Sequence, residues 1–238
     1  VQAHRPLIPL ERLPVDEVLG SVEPFTACSA AEVERLARQA VRLRKTAGTV
    51  VLAEGHEPDG LYVVLRGRVN LIRAADGGRE LILGVLGPGD VVGESCAVDQ
   101  SAMSTSAVAA TSTELLRIPG DALAAHVRRE PETLARLVRL MGAKLRELEN
   151  IASGLALCDV EQRLRRTLAR LARCQGRHLS PGTSWVLAPV PTQSELARMV
   201  GSCRETVSRT LTAMARSGLV TASGRRLILD ASLVGEAA

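Results

Sequence analysis

Residues Thr192–Asp230 read TQSELARMVGSCRETVSRTLTAMARSGLVTASGRRLILD. Thr192-Gln-Ser-Glu195 and Ser202-Cys-Arg-Glu205 are two capping boxes ten residues apart, each opening an apolar run of helical period, with Gly201 in the turn between them. A capping box satisfies the first free N–H groups of a helix, so each box predicts a helix start. Leu196, Ala197 and Val200 face inward from the first helix; Val207, Leu211, Met214 and Ala215 do so from the second, which Gly218 ends with a left-handed cap. The spacing is that of a helix-turn-helix. The outward face of the second helix begins with Arg204, Glu205, Ser208 and Arg209, where a recognition helix presents side chains to base edges. Leu219–Thr221 and Leu227–Leu229, joined by the turn Ser223-Gly-Arg-Arg226, form a hairpin whose tip arginines, Arg225 and Arg226, are placed to touch phosphates.

Upstream, Asp159-x-x-Gln162 opens another helix, with Leu164, Leu168 and Leu171 at helical spacing, and Cys174–Pro191 reads as a loop or hairpin carrying the only tryptophan, Trp185. From Pro131, the residues Leu134, Leu137, Met141, Lys144, Leu148, Ile151 and Leu155 recur at spacings of 3 and 4, a seam broken only by Lys144. A helix of about 26 residues spans about 39 Å, too long to pack wholly on a small domain. Leu134, Leu137, Met141, Leu148, Ile151 and Leu155 are therefore expected to meet their own copies in a homodimer. The competing arrangement is a single long helix lying across the N-terminal part. The junction at Asp159 reads as a hinge.

Further toward the N-terminus, Ser29–Val41 has the spacing of a short helix, and then strand chemistry takes over. Val50–Leu52, Tyr62–Leu65, Val69–Ile72, Glu80–Val85, Val91–Val92, Ala107–Ala109 and Glu114–Ile118 are short β-prone runs separated by Gly, Asp and Pro turn signals. Such a series predicts a jelly-roll-like β-roll. The expected fold is α+β: a Pro-containing arm over 1–23, a β-roll effector or sensor domain over 24–130, a dimerisation helix and hinge over 131–158, and a winged helix-turn-helix over 159–238.

Composition narrows the function. The chain has 238 residues, 46% hydrophobic and 24% charged, enough for two ordinary cores. Its apolar runs fall far short of the roughly 18 residues of a membrane span, and no leader-like opening is read, so a cytoplasmic protein without a membrane partner is expected. Five cysteines without a Cys-x-x-Cys pair read as reduced thiols and give no zinc site. Aromatics are 1%, which removes base stacking as a way to hold single strands. From Val160 onward twelve arginines face five acidic residues, a net +7, leaving −3 for the preceding part, so the basic C-terminal third is the part suited to a polyanion. No nucleophile triad, phosphate-binding loop or His-x-His metal set occurs, so neither catalytic residues nor a metal are expected.

The Gly201–Arg209 run, GSCRETVSR, resembles the winged helix-turn-helix of the CRP/FNR family, the cyclic-AMP receptor protein and its relatives. Glu54-Gly55, Leu65-x-Gly67, Gly87-x-Gly89-Asp90 and Gly93-Glu94 in the roll, and the long helix with Asp159, extend the likeness over about 200 residues. The resemblance implies a homodimeric, effector-controlled transcription regulator that binds double-stranded DNA, with RNA polymerase as a further partner. Arg204 and Arg209 have guanidinium forks suited to guanine, Glu205 accepts from cytosine or adenine amines, and Ser208 allows close approach. Arg-Glu-x-x-x-Arg resembles readers of TGTGA-like half-sites and Glu-x-x-Ser-Arg readers of TTGAT-like ones; residues 204–209 satisfy both, and Arg204 favours TGTGA. Thr192, Gln193, Ser202, Thr206, Arg225 and Arg226 are the candidate phosphate contacts.

In the family's cyclic-nucleotide binders a Gly-Glu pair holds the phosphate and ribose, and an Arg-Ser/Thr pair neutralises the phosphate. Here Gly93, Glu94 and Ser95 are in place, but Met103, followed by Ser104, stands where the arginine is expected, and the adenine-contacting pair falls on Leu148 and Glu149. An uncompensated phosphate is costly to bury, which disfavours cyclic AMP as the effector. Two alternatives stay open. One is a constitutive DNA binder with the roll as dimer scaffold. The other is haem or redox control, with His4, His56 or His126 as axial ligand or Cys96 or Cys203 as the sensitive thiol; the thiolates for an iron–sulfur cluster are missing.

Overall fold

The computed structural model describes residues 8–180, 184–224 and 226–235. They form two compact units that divide between Glu147 and Leu148, inside the long helix.

In the N-terminal unit, α1 (Val15–Ser21) and α2 (Ala30–Ala37) precede eight strands: β1 (Val41–Lys45), β2 (Val50–Leu52), β3 (Gly60–Arg66), β4 (Val69–Ala74), β5 (Glu80–Leu86), β6 (Val91–Val92), β7 (Ser106–Ala109) and β8 (Thr113–Pro119). They pair antiparallel as two four-stranded sheets, β1-β8-β3-β6 and β2-β7-β4-β5. Then α3 (Gly120–Arg129) leads into α4 (Pro131–Leu157). The pleat explains the roll. Leu61, Val63 and Leu65 on β3 pack against Val18, Leu19, Phe25, Leu36, Leu123 and Leu137, whereas Tyr62 and Val64 point to the other side, with Leu52, Val69, Leu86, Val92 and Leu115. Because β3 is buried on both faces it reads as a continuous apolar run.

Three elements differ from the sequence reading. The residues taken as an arm contain α1, whose Val18 and Leu19 are fully buried, a cluster disguised by the surrounding prolines. The helix begins at Ser29, which caps Glu32 N–H (3.4 Å), but ends at Ala37, so Val41 belongs to β1. That strand sits at a sheet edge, and its Arg42, Arg44 and Lys45 hide the strand pattern. Helix α3, with Leu123 and His126 fully buried, was not foreseen.

His126 binds the helical layer together. Its Nδ1 lies 3.4 Å from Glu32 Oε2 on α2, and its Nε2 lies 3.0 Å from Thr133 Oγ1 in the first turn of α4 and 3.6 Å from Cys28 Sγ. Burial pushes its pKa below the ordinary imidazole value, against the pull of Glu32 and Glu130. Burial opposes the Glu32 carboxylate too, but the Arg129 hydrogen bond and the charges of Arg129 and Arg35 outweigh it and hold its pKa below the usual range. Both depressed values act in one direction. Below about pH 6.5 the unfolded chain takes up a histidine proton that the folded chain refuses, so stability falls, by at most about 1.4 kcal/mol per pH unit until the folded pKa is passed. Glu32 extends the loss into the carboxylate range. The urea midpoint of the wild type is expected to drop between pH 7 and 5.5 and that of His126→Gln to stay flatter; a wild-type midpoint that holds or rises contradicts this.

The C-terminal unit begins with the last turns of α4 and continues with α5 (Val160–Gln175), β9 (Arg177–Ser180), β10 (Ser184–Leu187), α6 (Gln193–Val200), α7 (Arg204–Arg216), β11 (Val220–Ser223), β12 (Arg226–Asp230) and α8 (Ala231–Gly235). The Asp159 capping box forms, with Gln162 N–H donating to Asp159 Oδ1 (2.8 Å), and starts α5 afresh after α4. The strands form one sheet in the order β11-β12-β10-β9, so the segment before α6 is a hairpin that widens the wing. Leu164, Leu168, Leu196, Val207, Leu229 and Leu233 are all buried.

Candidate nucleic-acid interface and effector pocket

The first capping box of the helix-turn-helix forms as read: Thr192 N–H donates to Glu195 Oε2 (2.8 Å) and Glu195 N–H to Thr192 Oγ1 (3.2 Å). The second does not. Gly201 turns left-handed at φ +63°, and Ser202 N–H then donates back to the Ala197 carbonyl (3.0 Å), completing the C-cap of α6. Ser202 is thus used to end one helix and does not begin the next. Helix α7 starts at Arg204, with Cys203 at the N-cap position making no side-chain cap.

One side of α7 is packed and the other is open. Val207 and Met214 are buried and Leu211 is half-buried, whereas Ala215, expected inward, is exposed. Arg204, Glu205 and Arg209 are exposed and Ser208 is half-buried, at the i, i+1, i+4 and i+5 positions that share one face. The Glu205 carboxyl is held below the ordinary range by its own backbone N–H and the Cys203 thiol, helped by Arg204 and Arg209, so it stays an acceptor. Thr192 is exposed, and Gln193, Ser202 and Thr206 are half-buried. Arg226 is exposed beside the wing turn at Gly224; Arg225 lies outside the described residues.

In the roll, Gly93 sits at φ +94°, where a Cβ would come 2.4 Å from the Gly60 carbonyl oxygen, so only glycine fits before the 3-10 turn Glu94–Ala97. Ser95 is half-buried and its hydroxyl donates to the Ser101 carbonyl (3.0 Å). Met103 is half-buried and packs against the apolar cluster that contains Leu52, Tyr62 and Val64. The Ser104 carbonyl accepts from Arg73 Nη1 (2.5 Å), which also pairs with Glu54 (3.0 Å). Sequence reasoning missed Lys144 here. The spacing shows it only as the break in the seam, but its ammonium donates to the Val91 carbonyl (2.9 Å) and pairs with Glu94. Leu148 and Glu149 are exposed and fall in the other compact unit.

The face of α4 that carries Lys144 corrects the seam. Thr133, Leu137, Leu140 and Lys144 all turn to the roll, and Leu137 is 0% exposed in its core. Leu137 is therefore a core residue of one chain. Left exposed in the N-terminal unit are Leu134, Val138, Met141 and Leu145, the last at 58%. Leu148 and Leu155, exposed in the C-terminal unit, continue the 3,4 spacing, while Ile151 is half-buried. The helix carries two adjacent apolar stripes, and only contact with the roll tells them apart.

The candidate sensor residues stand in different surroundings. Both ring nitrogens of His126 are taken within the helical layer, His56 is exposed with Nδ1 3.1 Å from the Glu54 carbonyl, and His4 lies outside the described residues. Burial, then the charges of Glu94 and Asp59, pushes the Cys96 thiol up to about 12, far from forming a thiolate. Cys203 is exposed, 3.1 Å from Thr206 Oγ1. Among the described residues no group of His, Cys, Asp or Glu is arranged to hold a metal, and no helix is long and apolar enough to cross a membrane.

Residues 42–130 match the model of the cyclic nucleotide-binding domain, and residues 162–233 match that of the Crp-like helix-turn-helix domain. A CRP-like cAMP-activated global transcriptional regulator of Mycobacterium tuberculosis is 30% identical over 218 residues, 92% of this chain and 96% of the relative. The chain belongs to the CRP/FNR family of transcription regulators. A cyclic AMP receptor protein of Thermus thermophilus is 34% identical over 194 residues, 80% of this CRP/FNR chain and 85% of the relative. The solved structure of the c-di-GMP responsive global regulator CLP of Xanthomonas campestris matches with a TM-score of 0.68 at 29% identity, covering 84% of this chain and 99% of that one. The chain is thus a CRP-like DNA-binding regulator with the family's β-rich N-terminal domain, long helix and C-terminal helix-turn-helix, in a family of regulators and not of enzymes.

Proposed function

We propose that this CRP/FNR regulator acts in the cytoplasm as a homodimer on a palindromic duplex with a TGTGA-like or TTGAT-like half-site, and that cyclic AMP does not control it. The observation that carries the reading is the open face of α7, with Arg204, Glu205, Ser208 and Arg209 together over a buried opposite side. These four read bases. Thr192, Gln193, Ser202, Thr206, Arg225 and Arg226 hold phosphates, and the stripe Leu134, Val138, Met141, Leu145, Leu148, Ile151 and Leu155 pairs the two chains. RNA polymerase is the further partner of such a regulator.

The two classes of DNA contact have different signatures. Arg204→Ala should cost about 1–3 kcal/mol and flatten discrimination at one base pair, whereas Arg226→Ala should weaken all sequences alike and lower the salt slope by about one. Anisotropy titrations on the preferred duplex and its single-base variants, at several salt concentrations, separate them. A uniform loss in Arg204→Ala removes its base-reading role.

A second reading, a constitutive binder with the roll as scaffold, is favoured by the uncharged Met103 packed against the apolar cluster and by Lys144 already occupying Glu94. The names of the relatives point to cyclic mononucleotide and dinucleotide effectors, and the same titrations with each added nucleotide distinguish an effector-controlled protein from a constitutive one.

A further inference from the structure

One guanidinium joins two helix ends that lie far apart in the sequence. From the first turn of α5, Arg163 Nη1 donates to the Cys158 carbonyl, just past the end of α4 (2.7 Å), and its Nε donates to the carbonyl of Val200, the last residue of α6 (2.7 Å). Its Cγ lies 3.9 Å from where a Cβ on Gly154 would stand, so the stem runs along the last turn of α4. The last carbonyls of a helix have no partner within it and form the negative end of its dipole. A planar fork with fixed N–H directions satisfies two of them at once, which the single ammonium of lysine does not reproduce.

The two acceptors stand at joints. Cys158 begins the break between α4 and α5, since the Asp159 capping box starts α5 anew. Val200 precedes Gly201, the left-handed residue from which the chain turns into α7. Holding both carbonyls ties the departure of the recognition helix to the end of the long helix, with Arg163 in place of free rotation at the connection. The division of the chain agrees, because the last turns of α4 belong to the same compact unit as the helix-turn-helix.

We infer that Arg163 is a positioning residue that locks the helix-turn-helix to the end of α4 and thereby sets the half-site spacing the dimer accepts. The inference rests on the palindrome-reading dimer proposed above. Each base pair added between half-sites rotates one against the other by about a tenth of a turn, so a locked pair of recognition helices tolerates one spacing and an unlocked pair several.

The test uses full-length wild type, Arg163→Gln and Arg163→Lys on duplexes whose central spacer is varied by one and two base pairs, and on a single half-site. The wild type is expected to prefer one spacing by about tenfold or more, and either variant to reduce that to about threefold or less, while half-site affinity stays within about twofold. An unchanged spacing preference in a folded variant overturns the inference. So does a half-site loss that parallels the palindrome loss, which marks a role in the fold alone, or failure of both variants to fold. A wild type that binds palindrome and half-site equally overturns the dimer reading instead.

Discussion

Val138→Asp combined with Leu145→Asp is expected to produce a monomer at micromolar concentration and to lower affinity for a palindromic duplex by about a hundredfold or more, near 2.8 kcal/mol. Both side chains are more than half exposed in the single chain, and they belong to a 3,4-spaced stripe on α4. Burying an aliphatic side chain of this size contributes about 1.5–3 kcal/mol, and a two-fold seam uses each position twice. An aspartate there meets its own copy, two desolvated like charges without partners. Leu137→Ala gives the opposite pattern. It opens a cavity in the core of the roll, costing about 2–5 kcal/mol of stability, and leaves the dimer in place. Sedimentation and thermal unfolding separate the two effects. A dimer that survives the double aspartate, or dissociates on Leu137→Ala with the roll still stable, contradicts the assignment of the two stripes.

Millimolar cyclic AMP is expected to change the affinity for the same duplex by less than about threefold, although two relatives carry cyclic AMP in their names. Met103 offers no charge where the resemblance places the phosphate-neutralising arginine, and it is half-buried against the apolar cluster of the roll. Each charge-assisted hydrogen bond lost is worth about 1.5–3 kcal/mol, roughly ten- to a hundredfold in affinity. A ligand that hardly binds cannot shift an equilibrium between two states. A cyclic-AMP response of about tenfold acquired by Met103→Arg marks the missing charge as the deciding deficit, with Gly93 still holding the turn before Glu94. A tenfold response in the wild type contradicts the expectation and directs attention to Lys144 and Arg73, the cations that the fold brings to Glu94 and Ser104. Arg117 is a weaker candidate because it is paired with Asp59 at 2.7 Å.

Much of this protein is written in local chemistry. The Thr192 and Asp159 capping boxes, the glycine caps at Gly201 and Gly218, and strands with regular turns are short-range signals, and each forms where its residues indicate. What escaped depends on contacts between distant segments. Ser202 carries the residues of a capping box, yet the C-cap of α6 claims it first. Leu137 and Lys144 share a helical spacing with the exposed leucines, and only the roll packed against one side of α4 separates the stripes. Strand β1 is concealed by its edge arginines, and α1 by prolines. Arg163 could not be singled out among twelve C-terminal arginines without the carbonyls it reaches.

The exposed face of α7 proposed to read bases was legible because its residues open a run whose opposite side is apolar. The departure at Met103 was legible in the sequence, but the pairing of Lys144 with Glu94 was not, since Lys144 comes from a helix some 50 residues away and no spacing rule links the two.

Binding of the full chain to its preferred duplex, compared with binding to one isolated half, bears most directly on the proposed function. Two chains per duplex and an affinity about a hundredfold or more above that of the half-site are the expected result, because the second recognition helix binds at the effective concentration set by the first. One chain per duplex, or equal affinity for the whole and the half, contradicts a dimer that reads a palindrome through α7.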